Sequence, residues 1–182
     1  NVITNTKRHA IYLAGGAVGC VVDGNTIDTT DNIGIQSNTY SNQPYTDSCI
    51  ISNNVVRNIT KSINYGYDSS ICIGVYGKHS RTKIIGNICG GYIDCGIDVS
   101  GVSGDVIRAG VNAMVENNSV QGSSIVIQGG IRISDIDAII NGNRVESASS
   151  APSIVIAGGT APVSTPVVIS NNTIHTSSTG VA

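Results

Sequence analysis

The sequence predicts an all-β chain folded as a solenoid of about six stacked coils, and three observations carry that expectation. The first is a six-residue phrase: an aliphatic residue, a variable one, Gly or Asn, a constant Asn, a variable one, then Val, Ile or Cys. It recurs six times, at 22–27, 51–56, 84–89, 115–120, 140–145 and 169–174. Its constant members, Asn25, Asn54, Asn87, Asn118, Asn143 and Asn172, are 25 to 33 residues apart, a period at which each unit buries its apolar face only by stacking on its neighbours. The second is an alternating apolar pair upstream of each Asn: Ile11/Leu13, Ile33/Ile35, Ile71/Ile73, Ile97/Val99, Ile125/Ile127 and Ile154/Ile156. Alternation of period two is a strand signal. The third is composition: Ile and Val number 48 against one Leu, with no Phe or Trp. Residues branched at Cβ lose rotamer freedom in helices and pack well on pleated surfaces.

Each repeat is therefore expected to hold a first strand with the apolar pair, a turn, a second strand ending at the aliphatic residue of the phrase, a corner at the constant Asn, and a short third strand. Asparagine suits a corner because its short polar side chain tolerates the left-handed region, and stacked copies can hydrogen-bond as a ladder. Coil one is compact, from Ile11 to Ile27. Coil two carries two polar excursions, 37–47 and 57–70. Coil three holds the densest cationic stretch, Lys78 to Lys83, and coil four follows the segment 90–101. Coils five and six are bland, with first strands expected at 124–130 and 153–159. Residues 1–10 read as the tail of another coil, and the chain as one domain cut from something longer.

A net charge of −2 gives no electrostatic reason for a nucleic-acid or membrane partner. No apolar run approaches the roughly 20 residues of a spanning helix. Five cysteines, Cys20, Cys49, Cys72, Cys89 and Cys95, lack metal-ligand spacing. Cys20 and Cys49 stand five residues before the constant Asn, where other repeats place Thr82, Ala113, Ala138 and Val167, which makes them small core fillers and favours folding in a reducing cytoplasm. There is no phosphate-binding loop, nucleophile elbow, HExxH or EF-hand pattern, so no metal or cofactor is expected.

The stretch RHAIYL (8–13) followed by CVVDGNTI (20–27), with IISNNVV, IINGNRV and VISNNTI farther on, resembles the right-handed parallel β-helix of pectate-lyase-like proteins, and within that fold it is similar to bacteriophage tailspikes. The resemblance spans the whole chain but carries no catalytic motif. It implies a homotrimer in a virion tail, outside the bacterium, that recognises a bacterial surface polysaccharide and depolymerises it as a hydrolase or lyase. The alternative is a receptor-binding or structural shaft without catalysis. Val126, Val155 and Ala157, outward on bland first strands, are candidates for the subunit contact.

Six of the seven tyrosines, Tyr40, Tyr45, Tyr65, Tyr67, Tyr76 and Tyr92, fall in coils two to four, and a tyrosine offers a sugar both an apolar face and a polar tip. Candidate substrate-binding residues are Tyr67, Tyr76, Lys78, His79, Arg81 and Tyr92. The cationic three suit either a uronate carboxylate and its acidic proton or an ordinary solvated turn. Candidate catalytic residues are Asp68, Asp94 and Asp98. Counting three residues back from Ile71 and Ile97 reaches Asp68 and Asp94, which in a parallel stack would be neighbours about 5 Å apart, the spacing of a retaining glycosidase pair. Asp98 is the alternative partner at inverting distance.

Overall fold

The constant Asn and the Gly or Asn before it divide the work of the corner. Gly24, Asn53, Gly86, Asn117, Gly142 and Asn171 take positive φ, between 53° and 67°, in the region that Gly and Asn enter most easily. The left-handed residue is thus the one before the constant Asn. The constant Asn itself turns inward and builds the ladder. In the computed structural model, which describes residues 1–40, 43–61, 69–101, 112–122, 128–147, 151–157 and 166–176, Asn25 donates to Asn54 Oδ1 at 2.9 Å, Asn54 to Asn87 at 3.0 Å, Asn87 to Asn118 at 3.0 Å, Asn118 to Asn143 at 2.9 Å and Asn143 to Asn172 at 2.9 Å. Asn1 extends the ladder by donating to Asn25 at 2.9 Å. Each interior amide also donates to a carbonyl of the preceding repeat, as Asn87 does to Ile51 O at 2.9 Å. Each oxygen accepts a backbone N–H as well, as Asn87 Oδ1 does from Asn54 N. Both donors and both lone pairs are thereby used.

Among the described residues there is no helix, and every strand pairing is parallel. The first large sheet takes His9–Ala14, Ile33–Thr39, Ile71–Gly77, Cys95–Ser100, Gly129–Ser134 and Ile154–Ala157 in that spatial order. The second takes Val21–Asp23, Ile50–Ser52, Thr82–Ile85, Asn112–Glu116, Asp137–Asn141 and Val167–Ser170. The third begins with Val2–Thr6 and continues through Thr26–Asp31, Val55–Thr60, Ile88–Gly90, Ser119–Gln121, Arg144–Ser147 and Thr173–Thr176. Thr46–Asp47 and His79–Ser80 form a two-stranded sheet, so part of the expected excursion 37–47 is strand. The chain visits the three large sheets in the same order in every repeat.

Register fills the interior with like on like. Val22, Ile51, Ile84, Val115, Ile140 and Ile169 pair in sequence. Ile51, Ile84, Val115 and Ile140 are fully enclosed, each such side chain contributing about 1.5–3 kcal/mol. Ile169, expected to be buried with them, is 50% exposed, because its strand is the last of its sheet among the described residues. The row Cys20, Cys49, Thr82, Ala113, Ala138, Val167 also pairs as the repeat alignment requires. All five thiols are free.

The first sheet departs from the expected pairing in two ways. Its registered rows are Ile11, Ile35, Ile73, Ile97, Ile131, Ile154 and Leu13, Ser37, Val75, Val99, Ile133, Ile156. Ile33 and Ile71 therefore precede the inward pair instead of opening it. They join Cys95 in a separate apolar cluster under Tyr76, while Ile35, Cys72 and Ile73 belong to the main core. In coil five the pair is Ile131/Ile133, and the proposed Ile125/Ile127 lie outside the described residues.

Candidate functional site

Ile33, Ile71 and Cys95 lie in a cluster apart from the main core. Gly34 and Gly96 face the core, where an added Cβ would stand 2.4 Å from Val56 Cγ1 and 2.3 Å from Val120 Cγ1. Ile33 and Ile71 line a groove of about 370 Å³ on the outer face of the first sheet, within the size range of ligand pockets. Its lining comes from five successive repeats, from Arg8, His9 and Tyr12 to Gln128 and Arg132. Four steps between strands give it a length of about 19 Å. Tyr12, Gln36, Gly74, Asp98 and Arg132 form one registered row along it.

Gly74 leaves a gap in that row, and Tyr76 fills it. A Cβ on Gly74 would meet the Tyr76 ring at 2.6 Å, so the ring lies across the glycine and its hydroxyl donates to Asp98 Oδ2 at 3.1 Å. Arg132 grips the same carboxylate with two prongs, Nε to Oδ1 at 2.9 Å and Nη2 to Oδ2 at 2.7 Å. Ser100 Oγ adds a bond at 3.1 Å, and Arg132 Nη1 reaches Gln128 Oε1 at 2.7 Å. Asp98 is 1% exposed, so its charge is tolerable only because these donors saturate it. Burial, and next the Asp98 charge, push the Tyr76 phenol well above its ordinary range, which makes it a neutral donor. At the other end His9 stacks on Tyr12, ring centroids 5.4 Å apart. Burial and then Arg8 lower the His9 pKa to about 4, leaving the imidazole neutral at pH 7. Tyr12 and Tyr40 are among the exposed large side chains, and both line the groove with Asn38.

Of the residues singled out from sequence, the structure brings Tyr76 and Asp98 together here. The other candidates among the described residues stand elsewhere. Tyr92 is 1% exposed inside the main core, where no sugar can reach it. His79 is 2% exposed; its Nε2 lies 2.7 Å from Tyr76 O, and burial lowers its pKa to about 4. It is a wall residue. Lys78 sits over the Tyr45 ring at 5.6 Å, and Arg81 Nε donates to Asp47 Oδ1 at 2.9 Å; neither lines the groove. Tyr67 and Asp68 lie outside the described residues, but the register removes the reason for pairing Asp68 with Asp94. Cys95 pairs with Ile71, so the neighbour of Asp94 in the adjacent repeat is Ser70, whose backbone N–H donates to Asp94 Oδ2 at 2.7 Å. Asp94 also pairs with Lys61 at 3.4 Å. The count from Ile71 went astray because Ile71 is not the first inward residue of its strand.

Arg132, Gln36, Asn38 and Tyr12 were missed. Tyr12 was legible, since it alternates with Ile11 and Leu13. Arg132 alternates in the same way between Ile131 and Ile133, but the sequence reading placed that strand several residues too early. Comparison with protein-family models, with curated proteins and with solved structures yields no match, so the chain's own geometry carries the functional argument.

Proposed function

We propose that the chain is a right-handed parallel β-helix of six coils whose groove binds a bacterial surface polysaccharide without cleaving it, as a receptor-binding segment of a tailspike-like fibre. The observation that carries the reading is the groove itself. It is elongated, crosses five repeats, and sets tyrosine faces beside amides and charged groups, the surface that a chain of sugar rings with apolar faces and hydroxyl rims requires. Hydrolysis needs two carboxyl groups flanking the bond, about 5–5.5 Å or 6.5–9.5 Å apart. Asp98 is the sole carboxylate among the described lining residues, and Arg132 holds both its oxygens. Affinity electrophoresis against purified bacterial capsules and O-chains tests the proposal. At least one polymer retards the chain, and Tyr12→Ala or Tyr40→Ala weakens that retardation about 3- to 10-fold, as expected for loss of an aromatic contact. Indifference to every polymer overturns the binding reading, and release of new reducing ends or unsaturated sugars overturns its non-cleaving part.

Assembly as a homotrimer fits the outer face of the second sheet better than Val155 and Ala157 on the first, Val126 lying outside the described residues. Val21, Ile50, Met114, Ile139 and Val168 fall in one outward row interrupted only by Lys83, an apolar stripe suited to a subunit contact.

A further inference from the structure

We propose that Cys20 and Cys49 are a disulfide-forming pair that staples the first repeat to the second when the protein meets a disulfide oxidant. The two residues are register neighbours on the same face of adjacent parallel strands: Ile50 N donates to Cys20 O at 2.8 Å, and Val21 pairs with Ile50. Such neighbours have Cα atoms about 4.8 Å apart, inside the 4.4–6.8 Å range that a disulfide spans. The Cys49 thiol lies at this turn, donating to Ala17 O and Asp47 O at 3.6 Å each, and Cys20 is close enough to shift its pKa. Solvent access separates Cys20 from the other four cysteines, and Cys49 is the buried thiol beside it in register. Cys20 is partly exposed, beside the exposed Val18 and Gly19, while Cys72, Cys89 and Cys95 are sealed in the interior.

The chemistry balances with a low-molecular-weight disulfide as oxidant. The Cys20 thiolate attacks one sulfur of oxidised glutathione and expels one glutathione thiolate. The Cys49 thiolate then attacks Cys20 in the mixed disulfide and expels the second. Two protons leave the protein and two electrons reduce the oxidant. Burial raises the Cys49 pKa against a smaller lowering by the Cys20 backbone, so the second step quickens as pH rises above neutrality. The staple joins the repeat that carries Tyr12 to the one that carries Gln36 and Tyr40, and remains reversible by a thiol reductant.

The test is to incubate the folded chain with excess oxidised glutathione at mildly alkaline pH, quench with acid, and analyse by intact mass and peptide mapping. The expected product is two hydrogens lighter, has three titratable thiols in place of five, and yields one linked peptide pair containing Cys20 and Cys49. Cys20→Ser, a small change at a partly exposed position, abolishes the link while leaving the far-ultraviolet β spectrum intact. A product that stops at glutathionylated Cys20, a link between other cysteines, or an unchanged mass overturns the proposal. Thermal unfolding of the oxidised chain supplies a second readout: its midpoint rises, and a reductant returns it to the starting value.

Discussion

Removing one rung of the asparagine ladder tests the physical account of the fold most directly. Asn87 is fully buried. In Asn87→Ala, Asn54 N and one proton of Asn54 Nδ2 lose their acceptor, each now bonded at 3.0 Å, and Ile51 O loses a donor at 2.9 Å. Asn118 Oδ1 keeps the bond from the residue-87 backbone N–H at 2.9 Å and is spared. Three stranded groups at about 1–3 kcal/mol each put the loss at roughly 3 kcal/mol or more, a large share of the 5–15 kcal/mol typical of a domain. Asn172→Ala makes the comparison, because the ladder there is only partly buried and water can replace the lost partner. Urea unfolding followed by circular dichroism measures both variants. The expected result is a far lower midpoint for Asn87→Ala than for Asn172→Ala. Unfolding free energies equal within about 0.5 kcal/mol would refute the claim that satisfied buried amides hold the corner.

Ile84→Asp should prevent folding, since it forfeits about 1.5–3 kcal/mol of burial and strands a charge between Ile51 and Val115; a cooperative unfolding transition near that of the wild type would count against the assigned register. Arg132→Met leaves the Asp98 carboxylate enclosed without its main partner and should cost about 3–5 kcal/mol. Arg81→Ala breaks a solvent-exposed pair with Asp47 and should cost far less, so thermal melts of the two variants should diverge sharply. His79 has its pKa lowered to about 4 in the folded chain against an unfolded value near 6.5. The unfolded state therefore binds more protons between those pH values, so this contribution is intact above pH 6.5 and is lost as pH falls toward 4. The loss reaches about 3 kcal/mol, and replacing His79 with Asn should flatten the midpoint-versus-pH curve in that window. Gly74→Ala should drive the Tyr76 ring off its seat, take one donor from the enclosed Asp98 and so lower the unfolding midpoint as well as weaken polysaccharide binding; unaltered binding would remove Tyr76 from the site. Light scattering should show a trimer, and Ile139→Lys on the second sheet should dissociate it.

What the sequence determined by itself is whatever repeats. The six phrases, the surplus of residues branched at Cβ and the small residues aligned with Cys20 and Cys49 specify parallel stacking, because identical rungs satisfy one another only in register. Even the division of labour at the corner was present in the choice between Gly and Asn before each constant Asn. The site was less legible because its residues belong to no repeat. Tyr76, Asp98 and Arg132 come from three different strands, and they meet because register sets Gly74, Asp98 and Arg132 in one row and Gly74 lets the Tyr76 ring lie across it. A shift of two residues preserves period-two alternation, so nothing in the local pattern of Ile71 and Ile73 reveals which of them opens the inward pair. That choice falls to the packing of the whole stack, in which Cys72 and Ile73 belong to the main core while Ile71 joins Ile33 and Cys95 outside it. It decides which side chains line the groove and which carboxylates stand side by side.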